Sequence, residues 1–481
     1  MLRYIPSIRR AAVDLGLKPP IDLASAVKKI LIESFHRLRS SIGVDRAVFY
    51  SIVSRAFSTA GSLITLPLIL TRLTSVEQGF YYTFGNILAL QVFLEMGFGQ
   101  VAVQMVAHEA AHLKIDLKSG ISGQPLNLDR FSATVRFVRN WYIVVSILVG
   151  VFLLPAGYWF FSTSAKGTSA AWLGPWILLA LGTAGNLFVR SLTSLIEGMG
   201  AVAESIRVNM WAGAVQVLLT IAGLTAGLRL YAVPLASIVA LIVSSRLVWQ
   251  LLRIAMRETK KYERNIHIDW IKEVFPYQWR IALSWISGWF IFNAMMPVVF
   301  RQLGPEEAGR FGLAMGVSNF INIFAMNWSS TKSAVWGQMA SRKEWRSMDS
   351  LFWRVMPQSV GIAALASVAA IFFVPHLAEW FPRFSGRVPD WRVLFMLCAV
   401  TVMNQVVFAE AFYLRAHRRE PLLASSIFCG AAMAIGLFCF SHSSAFSIAA
   451  MYAILTLIGG LILVNVVFVY CRSRWHFAGQ C

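Results

Sequence analysis

Apolar residues in this chain come in about twelve blocks of roughly 20, separated by short polar gaps. The blocks predict membrane-spanning helices at 47–71, 79–104, 138–162, 171–196, 205–228, 230–252, 278–300, 308–330, 352–376, 391–414, 421–441 and 445–470. Each is long enough to cross about 30 Å of hydrocarbon at about 1.5 Å per residue. The cations are uneven between the gaps. Assigned to the nearest gap, 34 of the 43 Lys and Arg fall in alternate gaps and the two tails, and 8 fall in the other six gaps. Arg55 stands apart, inside an apolar block. Translocation retains Lys and Arg on the cytoplasmic side, so this alternation predicts orientation as well as span count. Both ends are expected in the cytoplasm of a bacterial inner (cytoplasmic) membrane.

Composition agrees. A mean hydropathy of +0.62 with 57% hydrophobic residues is too apolar for a chain whose whole surface is wetted. The net charge of +20 is spread over the predicted cytoplasmic loops, where topology and anionic lipid account for it without nucleic acid. The first 46 residues carry nine cations and no long apolar core, so they are not read as a cleavable signal peptide. Residues 24–38 fit a basic amphipathic helix on the membrane face. Many of the 17 Trp stand near block ends, as an aromatic belt requires. The five Cys have neither metal-ligand spacing nor a disulfide pattern. The connection 105–137 reads as a plain cytoplasmic loop, and 253–277 separates six spans from six. The expected parts are a basic extension (1–46), an N-lobe (47–254), a linker (255–277), a C-lobe (278–472) and a tail (473–481).

The two halves resemble each other. Pro67, Leu73, Glu77, Gly79 and Tyr81 around the first hairpin match Pro297, Leu303, Glu307, Gly309 and Phe311, every pair at an offset of 230 residues. Gly in each hairpin reads as a source of backbone freedom in a tight turn. Six spans per half is an even number, so both halves enter the membrane the same way. The implied symmetry axis stands along the membrane normal, with a cavity between lobes. The expected fold is therefore all-α: about twelve transmembrane helices in two pseudo-symmetric six-helix lobes.

The run Leu73-Thr-Ser-Val-Glu-Gln-Gly-Phe-Tyr81, followed by Glu95-Met-Gly-Phe-Gly99, resembles the opening hairpin of polysaccharide flippases. These are the lipid-linked oligosaccharide branch of the multidrug/oligosaccharidyl-lipid/polysaccharide exporter superfamily. Leu195-Ile-Glu-Gly-Met-Gly200 and the segment from Tyr413 to Pro421 fit as well, and the similarity runs over about 47–472. The extension before residue 47 departs from the family pattern. The resemblance implies alternating access by two lobes and movement of an undecaprenyl-pyrophosphate-linked glycan between leaflets, for surface polysaccharide biosynthesis. It implies no cofactor. Membrane lipids and proteins of polysaccharide synthesis and polymerisation are the partners it points to, with the transporter itself a monomer.

Charges inside spans cost at least about 2.5–3.5 kcal/mol each, so each needs a reason. Arg55 and Glu95 fall at matching depth in the first hairpin and can pair, either to neutralise each other or as part of a cavity. Arg55, Arg190 and Arg280 are the candidate pyrophosphate contacts, and Asn319 and Asn404 the candidate sugar contacts. Glu95 and Glu410 are candidates for coupling or gating. Together these predict a cavity with a cationic inner half.

One motif points elsewhere. His108-Glu109-Ala-Ala-His112 is a literal HExxH, which on a helix sets two imidazoles on one face. A zinc protease needs a third ligand and an open position, and no later segment offers one. A phosphate-binding loop is absent, so no ATP hydrolysis is expected, and the chain is read as a transporter and not as an enzyme. The nearest competing function is cation-coupled drug export within the same superfamily. Its acidic residue in the first span is missing here, since 47–76 contains no Asp or Glu.

Overall fold

A computed structural model describes residues 46–117, 120–164, 170–259, 261–262, 268–417, 420–440 and 444–477. The amphipathic segment expected at 24–38 and the last residues of the tail lie outside that range. Among the described residues nine helices are long and apolar enough to span a membrane, or ten with the bent pair Ser75–Glu95 and Phe98–Ala110 counted as one span. One of them, the 64-residue stretch Gln278–Ser341, is two spans joined at Gly304, whose φ of 86° breaks the helix. Leu423–Cys439 is the shortest span. These make up the twelve predicted spans. Their outer faces carry exposed apolar side chains, with Phe438 at 84%, as contact with acyl chains requires.

Three departures from the predicted boundaries have physical causes. The third span is a 40-residue helix, Pro125–Ser164, that begins well before its apolar block. Hydropathy marks only the part in hydrocarbon, whereas backbone hydrogen bonding continues into water. The connection 105–137 is accordingly not a plain loop. It holds the end of one helix, a two-stranded hairpin (Lys114–Asp116 with Gly120–Ser122) and the start of the next helix. Spans two and seven are broken within the membrane. Span two runs Ser75–Leu88, a short 3-10 turn and Val92–Glu95, then turns through left-handed Met96 (φ 52°) and Gly97 (φ 65°) into Phe98–Ala110. The bend is 45°. Span seven runs Phe275–Phe292 and resumes at Met295.

Within the N-lobe span one packs on span five, five on six, six on four, and three on four. In the C-lobe span seven packs on eleven, while span ten packs on spans eight, nine and twelve. The main crossing between lobes is span two against span eight. The connections at one end of the molecule hold few cations (the cation-poor end), and those at the other hold most of them (the cation-rich end).

Candidate functional site

The cation-poor end is shut. Thr74 starts span two with a capping box: its hydroxyl accepts from the Glu77 amide, and the Glu77 carboxylate accepts from the Thr74 amide at 2.9 Å. This fixes the first helical turn, where Gly79 meets span eight. A Cβ on Gly79 would strike the Pro305 carbonyl, and one on Gly309 would stand 2.9 Å from the Ser75 carbonyl oxygen. Residues 79 and 309, like 75 and 305, differ by 230, so the crossing is reciprocal about the pseudo-twofold axis. Both glycines are inside helices, so their use is close backbone approach and not the turn freedom expected from sequence. Of the two repeat-related hairpin turns, the second has a positive-φ residue, Gly304, and its counterpart in the first, Thr74, is extended at φ −74°.

Polar and aromatic contacts reinforce that closure. Gln78 Nε2 donates to the Gly309 carbonyl at 3.0 Å. Arg387, between spans nine and ten, donates to the Leu70 and Leu73 carbonyls at the end of span one (2.8 and 2.7 Å). The repeat-related acids each hold an arginine, Glu77 with Arg229 at 3.2 Å and Glu307 with Arg310 at 2.9 Å. Phe300 of span seven enters a fully buried N-lobe cluster, 5.1 Å from Phe80 and 5.5 Å from Phe161. Such ring pairs contribute about 0.5–1.5 kcal/mol each beyond area burial.

Behind this closure lie two adjoining chambers of about 720 and 460 Å³, which share Tyr82, Gly316 and Asn319 in their walls. The larger is walled by the N-lobe, with Ser58, Ser62 and Thr65 on one face of span one and Thr183, Gln216 and Thr220 opposite. The smaller is walled mainly by the C-lobe and carries Asn86, Asn293, Asn322, Thr401 and Asn404. Tyr82 stands between them, its ring against Gly312, where an added Cβ would come within 2.5 Å. Its hydroxyl is buried without a hydrogen-bond partner. A buried hydroxyl without a protein partner costs about 1–3 kcal/mol, and this one stands where the two chambers meet.

None of the residues lining either chamber is charged. The charges form a layer nearer the cation-rich end. Arg55 continues the Ser58–Ser62–Thr65 face at helical spacing, and Arg55 and Arg190 both lie about 25 Å along their helices from the cation-poor end. Asn319 and Asn404 are about 20 Å along theirs. Arg55 does not meet Glu95, contrary to the pairing expected from sequence. It crosses to the other lobe, donating to Asn327 Oδ1 at 2.8 Å and Ser330 Oγ at 3.4 Å. Glu95 is buried at the break of span two, where Tyr142 donates to it at 3.3 Å and Arg190 is the cation within its field. Packing explains the failed pairing, because span one lies against span five and not against span two.

The remaining predicted residues separate. Arg280 is exposed near the start of span seven, its guanidinium 5.4 Å from the Trp279 ring centre. Glu410 is buried outside the chamber walls, with one carboxylate oxygen unpartnered. Gln405 is structural, accepting from Ser359 at 2.7 Å and donating to Asn322 Oδ1 at 2.7 Å. Glu109 of the HExxH sequence is bound by Arg130 at 3.0 Å, and Arg130 also holds Glu273 at 2.8 Å. The two histidine rings are 6.2 Å apart, and no group of three metal-ligating side chains occurs among the described residues. The charges of that motif serve a bridge between spans two and three and the start of span seven, beside a Trp141–Trp270 stack at 5.9 Å. Tyr82 was missed from sequence because an aromatic near a span end reads as interfacial belt.

The fold is that of the multidrug and toxic-compound extrusion (MATE) transporters of the MOP superfamily. The chain is similar to an inward-facing multidrug resistance MATE family transporter at 13% identity, covering 88% of this chain and 97% of that one with a TM-score of 0.65. An outward-facing structure described in the same words gives 13%, 91%, 96% and 0.54. A MATE protein in complex with MaL6 gives 14%, 91%, 96% and 0.55. At such identities the likeness is one of fold. No family model and no curated protein sequence matches the chain.

Proposed function

We propose that the protein is an alternating-access transporter that flips a lipid-linked oligosaccharide, an undecaprenyl-pyrophosphate glycan, across a bacterial inner membrane, with its cation-rich end in the cytoplasm. The supporting observation is a two-chambered cavity walled by hydroxyls, amides and an unpaired phenol. It is sealed at one end, with Arg55 and Arg190 a layer below. Sugar hydroxyls match uncharged donors and acceptors, and a pyrophosphate matches guanidinium groups at headgroup depth. The lipid stays at the level from which it came. A cationic drug would find no carboxylate in these walls. The sealed cation-poor end and the higher TM-score to an inward-facing than to an outward-facing structure fit a state open toward the cytoplasm.

In this reading the glycan enters the chambers while its phosphates meet Arg55, replacing the bond to Asn327. That exchange releases a link between lobes, and the lobes rock to open the Gly79–Gly309 crossing. Glu95, held by Tyr142 and Arg190, governs the bend of span two and hence the angle of that crossing. The test is transbilayer movement of a fluorescent lipid-linked oligosaccharide in proteoliposomes holding the full chain. Arg55→Ala together with Asn319→Ala is expected to slow it by at least tenfold while leaving the melting temperature in place. Movement at the native rate in that variant, or efflux of a lipophilic cation with no glycan movement, would sink the proposal.

A further inference from the structure

A second, apolar cavity lies wholly within the C-lobe, between spans seven, ten, eleven and twelve. It encloses about 210 Å³ and shares Phe292, Asn404, Phe408 and Tyr452 with the smaller polar chamber. From that junction it runs to Arg415, about 16 Å along span ten. It is long, narrow and parallel to the helices. Its far end is closed by charge, Arg415 with Glu420 at 3.2 Å.

Three observations identify what fits. Part of the polar wall is already engaged: Ser425 donates to the Leu422 carbonyl at 2.8 Å, and Tyr452 is hydrogen-bonded to Asn404. No lining side chain is among the buried polar atoms left without a partner. The wall is mostly apolar, so methylenes gain more dispersion contact there than a polar ligand gains hydrogen bonds. The cavity is also built and not a packing accident. Span twelve passes it as a π-helix, Thr456–Ile462, which spreads the wall where regular helix would fill it. On the facing wall Gly288 has no atom within 4 Å of where its Cβ would be. An apolar slot of this volume is disfavoured as a water site, and a bilayer supplies chains that fit it.

We propose that this slot holds one hydrocarbon chain of a membrane lipid, lying along span ten with its polar end toward Arg415 and its tip at the Asn404–Tyr452 junction. The chain chemistry is shared by a polyprenyl phosphate and by a phospholipid acyl chain, each with its headgroup at the cation-rich end. Only the polyprenyl source rests on the transport reading above.

The experiment uses the full chain in nanodiscs with two photoreactive probes: a polyprenyl phosphate and a phosphatidylglycerol, each with a diazirine on the chain. Adducts are located by mass spectrometry. The expected sites are on Ser426, Cys429 and Thr456, lining the slot. Gly288→Leu puts an isobutyl group into the open space and should lower those adducts about tenfold, the equivalent of about two buried methylenes. Labelling at lipid-facing Phe438 should not change. Leucine is a better helix former than glycine, so the melting temperature should hold or rise. Ser426→Phe, from the opposite wall, should have the same effect on labelling. Slot labelling by polyprenyl alone assigns the chain to the transported lipid, and labelling by both probes assigns it to membrane lipid in general. Adducts confined to outward residues such as Phe438, or slot adducts untouched by Gly288→Leu, would overturn the proposal. Failure of the transport reading would show separately, as lost glycan movement with slot labelling intact.

Discussion

At the scale of single residues, the functional reading turns on groups whose surroundings do not satisfy them. Tyr82 is the clearest, a phenol with a buried hydroxyl and no partner. Tyr82→Phe should leave stability unchanged or raise it by about 1 kcal/mol, because an unpaid desolvation is removed. Glycan movement in proteoliposomes should meanwhile fall about tenfold, the worth of one hydrogen bond to cargo. A structural tyrosine would show the opposite, lower stability with unaltered movement. Thr74 is satisfied, and its loss is a different measurement. Thr74→Ala should cost about 1 kcal/mol in denaturant unfolding through the lost cap, with transport changed only slightly. Neither role was legible in the sequence. A capping threonine announces itself only when the helix start is known, and the predicted start of span two at 79 hid it. Arg55 was legible, because a cation inside an apolar block needs a reason whatever the fold. Its partner was not, since matching depth in a hairpin does not say which spans pack side by side.

At the scale of elements, the molecule depends on where helices are interrupted. Hydropathy found each span but no interruption, because Met96-Gly97 and Asn293-Ala294 change the mean hydropathy of a window very little. The repeat, by contrast, was legible in five matched residues, and the reciprocal approach of Gly79 and Gly309 gives that match its physical content. Gly79→Leu and Gly309→Leu should each destabilise the closed crossing by about 1–3 kcal/mol, with similar effects because the contact is pseudo-symmetric. A cysteine placed at Asn86 should then react about five- to hundredfold faster with a membrane-impermeant thiol reagent supplied at the cation-poor end. Unequal effects of the two substitutions would show that the repeat match at these positions is not mechanical.

At the scale of the whole molecule, the alternating cations gave the span count and the pairing of loops by side, because that asymmetry is imposed on the chain during insertion and survives folding. The placement of charge relative to the cavity was not recoverable. Distance along a span gives depth, but which side of a helix faces the gap between lobes depends on packing across the lobes. Charged residues therefore read as cavity lining where the structure puts amides and hydroxyls. Weakening the seal should shift the equilibrium between the two open forms. Arg387→Ala removes both bonds to the end of span one and should raise the fraction open at the cation-poor end several-fold, measured as spin-label distances between 170 and 385. An unchanged distribution would mean that the aromatic cluster around Phe300 closes that end alone.

The two ends are unequally fastened. Helix crossing, ring cluster and arginine ties hold one, whereas at the other Arg55 joins spans one and eight and Arg130 with a Trp stack joins span three to the start of span seven. On the transport reading proposed above, the unloaded protein waits in a single posture and keeps its watery interior continuous with one compartment only. The membrane's barrier to small neutral solutes then depends on that tighter seam. Cells carrying a leucine at Gly79 should become leaky to sugars and uncharged antibiotics before they show any shortage of surface polysaccharide.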